Sequence, residues 1–124
     1  MPRVAFLTVA ALLLAICSAR ADGDPEIGKR QFLQCTICHS VDAAAPAKIG
    51  PTLHGLFGRK AGTVPGFAYS APMKNSGIVW DADTIDKWIT KPMAMVPGTK
   101  MIFPGVADPA MRANIIAYLK DATK

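Results

Sequence analysis

The chain has 124 residues, of which 51% are hydrophobic and 19% are charged, with 14 basic against nine acidic side chains. This length predicts one small domain, whose core is marginal unless a disulfide, metal or cofactor adds stability. No run of Lys or Arg is longer than two residues and the formal net charge is only +5, which excludes a nucleic-acid binder that depends on a basic patch.

The first predicted segment is a signal peptide. An apolar run from Val4 to Cys17, in which only Thr8 is polar, follows a basic start and ends in Ala19-Arg20-Ala21. The run is shorter than the roughly 20 residues that a membrane-spanning helix needs, and it is followed by a small-residue cleavage site. We therefore expect export, with residues 1–21 removed after Ala21 and one domain over residues 22–124. An uncleaved signal that anchors the protein in the membrane is the alternative.

The first helix of the exported domain is predicted to begin at Asp24. Asp24 is typical of an N-cap, and Pro25 suits the first helical position. Gly28 has no side chain, so another helix could cross this one closely there. Apolar and large residues follow at helical spacing: Ile27, Gln31, Phe32 and Cys35.

A long segment rich in glycine and proline, from Gly50 to Gly77, comes next. Irregular backbone of this length must find partners for its polar groups, so such segments are usually functional or packed around something. Several apolar residues inside it suggest that it wraps a large bound cofactor: Leu53, Leu56, Phe57, Phe67 and Tyr69.

Two further helices are predicted after this segment. One begins near Asp81 to Asp83 and ends at Lys91-Pro92, and the other begins at Asp108-Pro109. Their apolar positions recur at helical spacing: Ile85, Trp88 and Ile89 in one, and Met111, Ile115, Tyr118 and Leu119 in the other. Because no alternating segment is long enough for a sheet, the sequence predicts an all-α domain with long loops.

The cysteines indicate the cofactor. Cys17 leaves with the signal, and the remaining pair stands in Cys35-Thr36-Ile37-Cys38-His39. C-x-x-C-H is the signature of covalent c-type haem attachment, with two thioether bonds and a histidine that can bind the iron. A small disulfide or dithiol centre would leave the histidine unexplained. Zinc held by Cys35, Cys38, His39 and His54 is the other alternative, although adjacent ligands at 38 and 39 suit a tetrahedral ion poorly.

The second axial position of the iron needs a donor or stays open. The exported chain offers five methionines: Met73, Met93, Met95, Met101 and Met111. Met101 is favoured because it lies in an irregular segment between Pro97 and Pro104, which is stiff enough to hold a sulfur in place. The other four methionines remain alternatives for this ligand. Methionine more often only fills space in a hydrophobic core.

Together these residues resemble the class I cytochromes c, specifically the bacterial periplasmic relatives of mitochondrial cytochrome c. The resemblance runs from Gly28 to Lys120. Its motifs are Cys35-x-x-Cys38-His39, Gly50-Pro51-x-Leu53-His54-Gly55-Leu56-Phe57-Gly58-Arg59-Lys60, Pro65-Gly66-Phe67-x-Tyr69, Trp80, Pro97-Gly98-Thr99-Lys100-Met101-x-Phe103, and Arg112 with Ile116-Ala117-Tyr118-Leu119. It implies terminal helices that cross, loops wrapped around one covalently bound haem c, and His39 and Met101 as the axial ligands.

The resemblance also implies roles for the surrounding residues. The Pro51 carbonyl would accept a hydrogen bond from the His39 ring. Arg59, Tyr69 and Trp80 would bind the haem propionates. Three aromatic positions complete the set: Phe103 near the exposed haem edge, and Phe32 with Tyr118 where the terminal helices cross.

The sequence departs from the family pattern near the methionine ligand and on the surface. Trp88 stands where a tyrosine is usual and Met73 where an asparagine is usual. The network of hydrogen-bonding side chains near the methionine ligand should therefore be reduced. Ala47 replaces a histidine that bridges two loops. Several lysines of the docking surface are replaced, but three remain: Lys29, Lys48 and Lys100.

The function implied is electron transfer rather than catalysis, because His/Met ligation leaves the iron no site for a substrate. The expected protein is a periplasmic monomer. Ubiquinol-cytochrome c oxidoreductase would be its donor, and a terminal oxidase or photosynthetic reaction centre its acceptor. A haem protein that binds or senses small ligands after losing Met101 is the alternative function, and a peroxidase is disfavoured because no distal His and Arg pair is present.

Overall fold

The structure is a computed structural model that describes residues 22–124; the predicted signal peptide lies outside them. It contains five α-helices and one 3₁₀ turn, and the described residues contain no strand beyond a single bridge between Lys60 and Val79. The prediction of an all-α domain is therefore confirmed. The elements are α1 (Pro25–Gln31), the 3₁₀ turn (Phe32–Cys35), α2 (Ala71–Lys74), α3 (Ala82–Thr90), α4 (Pro92–Met95) and α5 (Pro109–Ala122).

Helix α1 begins as the sequence predicts. The Asp24 carboxylate accepts hydrogen bonds from the backbone N–H of Glu26 at 2.8 Å and of Ile27 at 3.0 Å, which satisfies donors that have no partner within the helix. The helix does not continue to Cys35 with α-helical winding. It tightens after Gln31 into the 3₁₀ turn, a frequent way for a helix to end.

The predicted ends of α3 are confirmed, but two one-turn helices were missed. Asp81 and Thr84 form a reciprocal capping box at the start of α3, and the helix ends at Thr90. Pro92 ends that helix because it offers no N–H, and for the same reason it suits the first position of α4. Helix α2 begins after Ser70, whose hydroxyl accepts from the Met73 N–H at 3.3 Å.

The terminal helices α1 and α5 cross at Gly28. A Cβ atom there would overlap the backbone carbonyl of Asn114 in α5, so only glycine permits this approach. The Asn114 side chain accepts a hydrogen bond from the Asp24 N–H at 2.8 Å. Beside the crossing, the rings of Phe32 and Tyr118 pack with centroids 5.3 Å apart. The predicted close crossing is confirmed.

The glycine-rich segment is held by backbone hydrogen bonds to the rest of the domain. Gly58 N–H donates to the Trp80 carbonyl at 2.8 Å, and Trp80 N–H donates to the Arg59 carbonyl at 2.9 Å. The Gly62 backbone has φ +77°, and a Cβ there would lie 2.8 Å from the Lys74 Cα. The segment therefore pairs with the chain just before α3, and its first half packs tightly against its own helix α2.

We predict that Gly28→Ala lowers the free energy of unfolding by about 2 kcal/mol or more, because the added methyl group meets backbone that cannot rotate away. Chemical denaturation of the haem-loaded protein, followed by circular dichroism, measures the change. Lys29→Ala, at an exposed position of the same helix, is the control and should change the value by less than about 0.5 kcal/mol. Equal stability of the two variants would contradict the close crossing.

Candidate functional site

One large cavity, of about 730 Å³, lies at the centre of the fold. Its walls come from the 3₁₀ turn, the glycine-rich segment, α3, the segment 99–106 and α5. The volume is within the range of cofactor pockets. Nearly every sequence-predicted site residue lines it: Cys35, Cys38, His39, Pro51, Arg59, Tyr69, Trp80, Trp88, Lys100, Met101 and Phe103.

Cys35, Cys38 and His39 are presented at one wall by a tight turn. The backbone N–H groups of Cys38 and His39 both donate to the Cys35 carbonyl, at 3.2 and 2.9 Å. Both cysteines are free and half-buried, so two thiol groups and one imidazole face the same space. This donor set fits two thioether bonds and one axial ligand to a haem.

The orientation of His39 is set by Pro51. Its Nδ1 lies 2.8 Å from the Pro51 carbonyl oxygen. A carbonyl can only accept, so Nδ1 carries the proton and Nε2 keeps a free lone pair, as a metal ligand requires. Gly50 makes this contact possible, since a Cβ there would lie 2.5 Å from the His39 Cε1. Sequence reasoning did not single out Gly50, although its place before Pro51 was a signal.

Burial controls the charge of these groups. It lowers the pKa of His39, and the cations Lys48 and Arg59 lower it further, while the hydrogen bond to Pro51 opposes them. Burial and the neighbouring Cys38 raise the pKa of Cys35 to about 11. At neutral pH the site therefore presents a neutral imidazole and a protonated thiol, which does not suit thiolate redox chemistry.

The zinc alternative finds no support in the geometry. Within residues 22–124, no group of three or more His, Cys, Asp or Glu side chains is placed to hold a metal ion. His54 is exposed and does not line the cavity, so it does not join the other three residues at one site.

Only two of the five candidate methionines line the cavity. Met73 and Met101 line it, whereas Met93, Met95 and Met111 do not. Met73 is 7% exposed and belongs to the hydrophobic core. Met101 lies in the irregular segment, where its N–H donates to the hydroxyl of Thr99 at 3.2 Å. Thr99, 8% exposed and also in the cavity wall, was missed in the sequence because a lone threonine carries no distinctive signal.

Arg59 and Tyr69 place polar groups in an otherwise apolar wall. The guanidinium of Arg59 donates to the carbonyls of His54 at 2.7 Å and Thr52 at 2.9 Å. Burial lowers the pKa of Arg59 from its usual value, and Tyr69 opposes this shift. The Tyr69 hydroxyl accepts from the Val64 N–H at 3.1 Å and keeps its own proton to donate. A half-buried guanidinium and a free phenolic donor suit the carboxylates of a cofactor.

Aromatic side chains form part of the cavity wall. Trp80 and Trp88 are each 8% exposed, and their rings meet edge to face with centroids 5.6 Å apart. Phe103 is half-buried and also lines the cavity. These three rings make the wall more apolar.

The three lysines that are expected to contact partners differ in their hydrogen bonds. Lys29 is exposed on α1. Lys48 donates to the carbonyls of Thr36 at 2.7 Å and His39 at 3.4 Å, and Lys100 donates to the carbonyl of Ala68 at 3.0 Å. The sequence did not indicate these three bonds, because all three acceptors are backbone carbonyls, which carry no residue-specific signal.

Comparison with known proteins agrees with this arrangement. The family model described as cytochrome c matches residues 25–123. The cytochrome c2 of Rhodomicrobium vannielii is 47% identical over 96% of this chain and 95% of its own length. The cytochrome c of Sesamum indicum is 47% identical over 82% of this chain and 92% of its own. The solved structure of cytochrome cH from Methylobacterium extorquens matches with a TM-score of 0.74 and 43% identity, covering 79% of this chain and 98% of that one.

The fold and the cavity thus define a c-type haem protein with a single haem-attachment sequence. The chain belongs to the cytochrome c family and has the class I cytochrome c fold. It carries one covalently bound haem c, and it is an electron-carrier cytochrome.

We predict that Arg59→Lys lowers the free energy of unfolding by about 1–2 kcal/mol, because an ammonium group cannot bridge the Thr52 and His54 carbonyls as the planar guanidinium does. Denaturant titration of the haem-loaded protein checks this. The control is Lys60→Arg at the adjacent exposed position, which keeps the total charge and should leave the stability unchanged. A loss no larger than the control's would mean that the bridging geometry is unimportant.

Proposed function

We propose that this protein is a periplasmic carrier that moves one electron at a time between membrane complexes. The observation that supports the proposal is that Cys35, Cys38, His39 and Met101 all line one largely apolar cavity. When bound, the haem supplies one-electron chemistry through its ferric and ferrous states. The residues described below hold it and set its surroundings.

Each ligating residue has a distinct role in the proposal. Cys35 and Cys38 would form the thioether bonds, and Nε2 of His39 and the sulfur of Met101 would be the ligands of the iron. With both ligands in place no position would remain for a substrate, and a thioether ligand would favour the reduced state. The protein is therefore a carrier and not an enzyme.

The remaining cavity residues adjust the site. Pro51 keeps the His39 ring in one tautomer and orientation through the 2.8 Å hydrogen bond. Arg59, Tyr69 and Trp80 would supply N–H and O–H donors to the propionates of the haem. Trp88 and Phe103 would add apolar surface to the cavity around it, which would limit reorganisation when the charge changes.

The partners follow from the resemblance and from the charge of the surface. Ubiquinol-cytochrome c oxidoreductase is the proposed donor, and a terminal oxidase or photosynthetic reaction centre is the proposed acceptor. Lys29, Lys48 and Lys100 would face acidic groups on these complexes. Because three lysines give only modest steering, the association rate should depend weakly on ionic strength.

The alternative is a protein that binds small ligands at the iron after Met101 leaves. The visible spectrum with and without carbon monoxide distinguishes the two. A low-spin c-type spectrum that carbon monoxide leaves unchanged supports the carrier, and a spectrum that shifts with carbon monoxide supports the sensor.

We predict that Met101→Ala opens the axial position. The variant should bind carbon monoxide, and its reduction potential should fall by on the order of 0.1–0.3 V, within the span of about 0.8 V that axial ligands set. Visible spectroscopy and potentiometric titration measure both effects. Met93→Ala, at an exposed methionine outside the cavity, should behave like the wild type. Low-spin iron at the wild-type potential in Met101→Ala would exclude Met101 as the ligand, and Met73→Leu would then test the other sulfur in the cavity wall.

We also predict that the exported protein begins at Asp22. Cleavage after Ala21 leaves residues 22–124, and no helix within that range is long and apolar enough to cross a membrane. Intact-mass measurement and N-terminal sequencing of the periplasmic fraction test this. Protein that retains Met1 and sediments with the membranes would instead support the uncleaved anchor.

A further inference from the structure

A half-buried ion pair joins α3 to α5 outside the cavity. Nε of Arg112 in α5 donates to the carboxylate of Asp86 in α3 at 2.8 Å, and the two side chains are only 13% and 27% exposed. Arg112 is one of the residues that the sequence singled out, yet it does not line the cavity, so haem attachment and ligation do not use it. A charge pair held this far out of water is costly unless its geometry serves a purpose.

The guanidinium of Arg112 has a second set of partners. Its Nη1 donates to the carbonyl of Val106 at 3.0 Å and to the carbonyl of Ala107 at 2.9 Å. A planar guanidinium holds its acceptors in a fixed arrangement. Because Nε is bound to the Asp86 carboxylate, Nη1 is directed at the two carbonyls. Asp86 thus orients Arg112, and Arg112 holds the chain at 106–107.

Those carbonyls lie at the end of the segment 99–107, which carries Met101. On the N-terminal side, the Met101 N–H donates to the hydroxyl of Thr99 at 3.2 Å. On the other side, residues 102–105 make no backbone hydrogen bond to the rest of residues 22–124. The segment is therefore held again only from Val106 onwards, and this anchor limits how far the methionine can move.

Helix α3 takes part in the same anchor. The Val106 N–H donates to the Ile89 carbonyl at 2.8 Å, and a Cβ atom at Gly105 would overlap the carbonyl of Thr90. Asp86 precedes Ile89 by three residues, about one turn of the same helix. The ion pair therefore fixes the end of the segment to the last two turns of α3.

We propose that Asp86 is a positioning residue, which orients Arg112 so that this side chain anchors the segment 99–107 and keeps Met101 on the iron. The inference rests on the proposed function, in which Met101 is an axial ligand. Loss of the carboxylate leaves the guanidinium without its counter-charge, so that it turns towards water and releases the two carbonyls. The segment then opens more often. The reduction potential of the closed form stays the same, because its ligands are unchanged.

The test measures how often Met101 leaves the iron of the ferric, haem-loaded protein. Imidazole is added at increasing concentration, and visible absorbance follows its binding. Because imidazole binds only after Met101 has left, the rate levels off at the opening rate of the segment. The test variant is Asp86→Ala. The matched control is Asp81→Ala, which removes the same charge from the start of the same helix and also its N-cap, so it lowers stability without removing a bond to Arg112.

We expect Asp86→Ala to raise the limiting rate about tenfold or more, since it removes a charge-assisted hydrogen bond from a half-buried group. The apparent dissociation constant for imidazole should fall by a similar factor. The control should stay within about twofold of the wild type. Asp86→Asn, which keeps the shape and an acceptor oxygen but not the charge, should change both quantities in the same direction by less. It also carries the test if Asp86→Ala does not fold.

Hydrogen exchange in the reduced protein gives a readout that a general loss of stability would not reproduce. The Val106 N–H should exchange about tenfold faster in Asp86→Ala than in the wild type. The Ala61 N–H, which donates to the Ile78 carbonyl at 2.8 Å, should keep its rate. A general loss of stability would instead speed exchange at both amides.

Two results would overturn the inference in distinguishable ways. If Asp86→Ala and Asp81→Ala share one limiting rate, or if both amides exchange equally faster, the ion pair does not position Met101 and the carrier function still stands. If Met101→Ala has the spectrum and the imidazole-binding rate of the wild type, Met101 is not a ligand. The proposed ligand set is then wrong, and the inference fails with it.

Discussion

The cofactor cavity is also the hydrophobic core, and the rest of the structure depends on this constraint. Within residues 22–124, nine of the twelve buried apolar residues line the cavity, so this part of the chain has almost no core apart from the binding site. The side chains that would otherwise pack on one another surround a space of about 730 Å³ instead. A bound haem therefore completes the core, and folding is linked to haem attachment because a group that binds only the folded state stabilises it.

This constraint accounts for the division of the chain into helices and loops. The helices of residues 22–124 supply only part of the cavity wall, and irregular backbone covers the rest. The loops can do so because their polar groups are satisfied, as in the pairing of Gly58 and Arg59 with Trp80. The same loops carry Pro51 and Met101, so the segments that close the core also present the groups that control the metal.

The two sides of the site are built differently. On the histidine side, one turn and one hydrogen bond fix His39, and Gly50 leaves room for the ring. Elsewhere the cavity wall is made of large apolar side chains, among them Met73, Trp80 and Trp88. A rigid polar support for the histidine within a largely apolar wall suits a site that must change charge with little rearrangement.

The sequence by itself determined the three principal helices, the haem-attachment signature and the place where the terminal helices cross. These features are local, because an N-cap at Asp24, a proline at Pro92 or a cysteine pair around a turn acts within a few residues. Only the tertiary structure decided which methionines reach the cavity and that Lys48 and Lys100 anchor to backbone carbonyls. Those outcomes depend on contacts between segments far apart in the chain, and no periodicity or spacing within a segment encodes them.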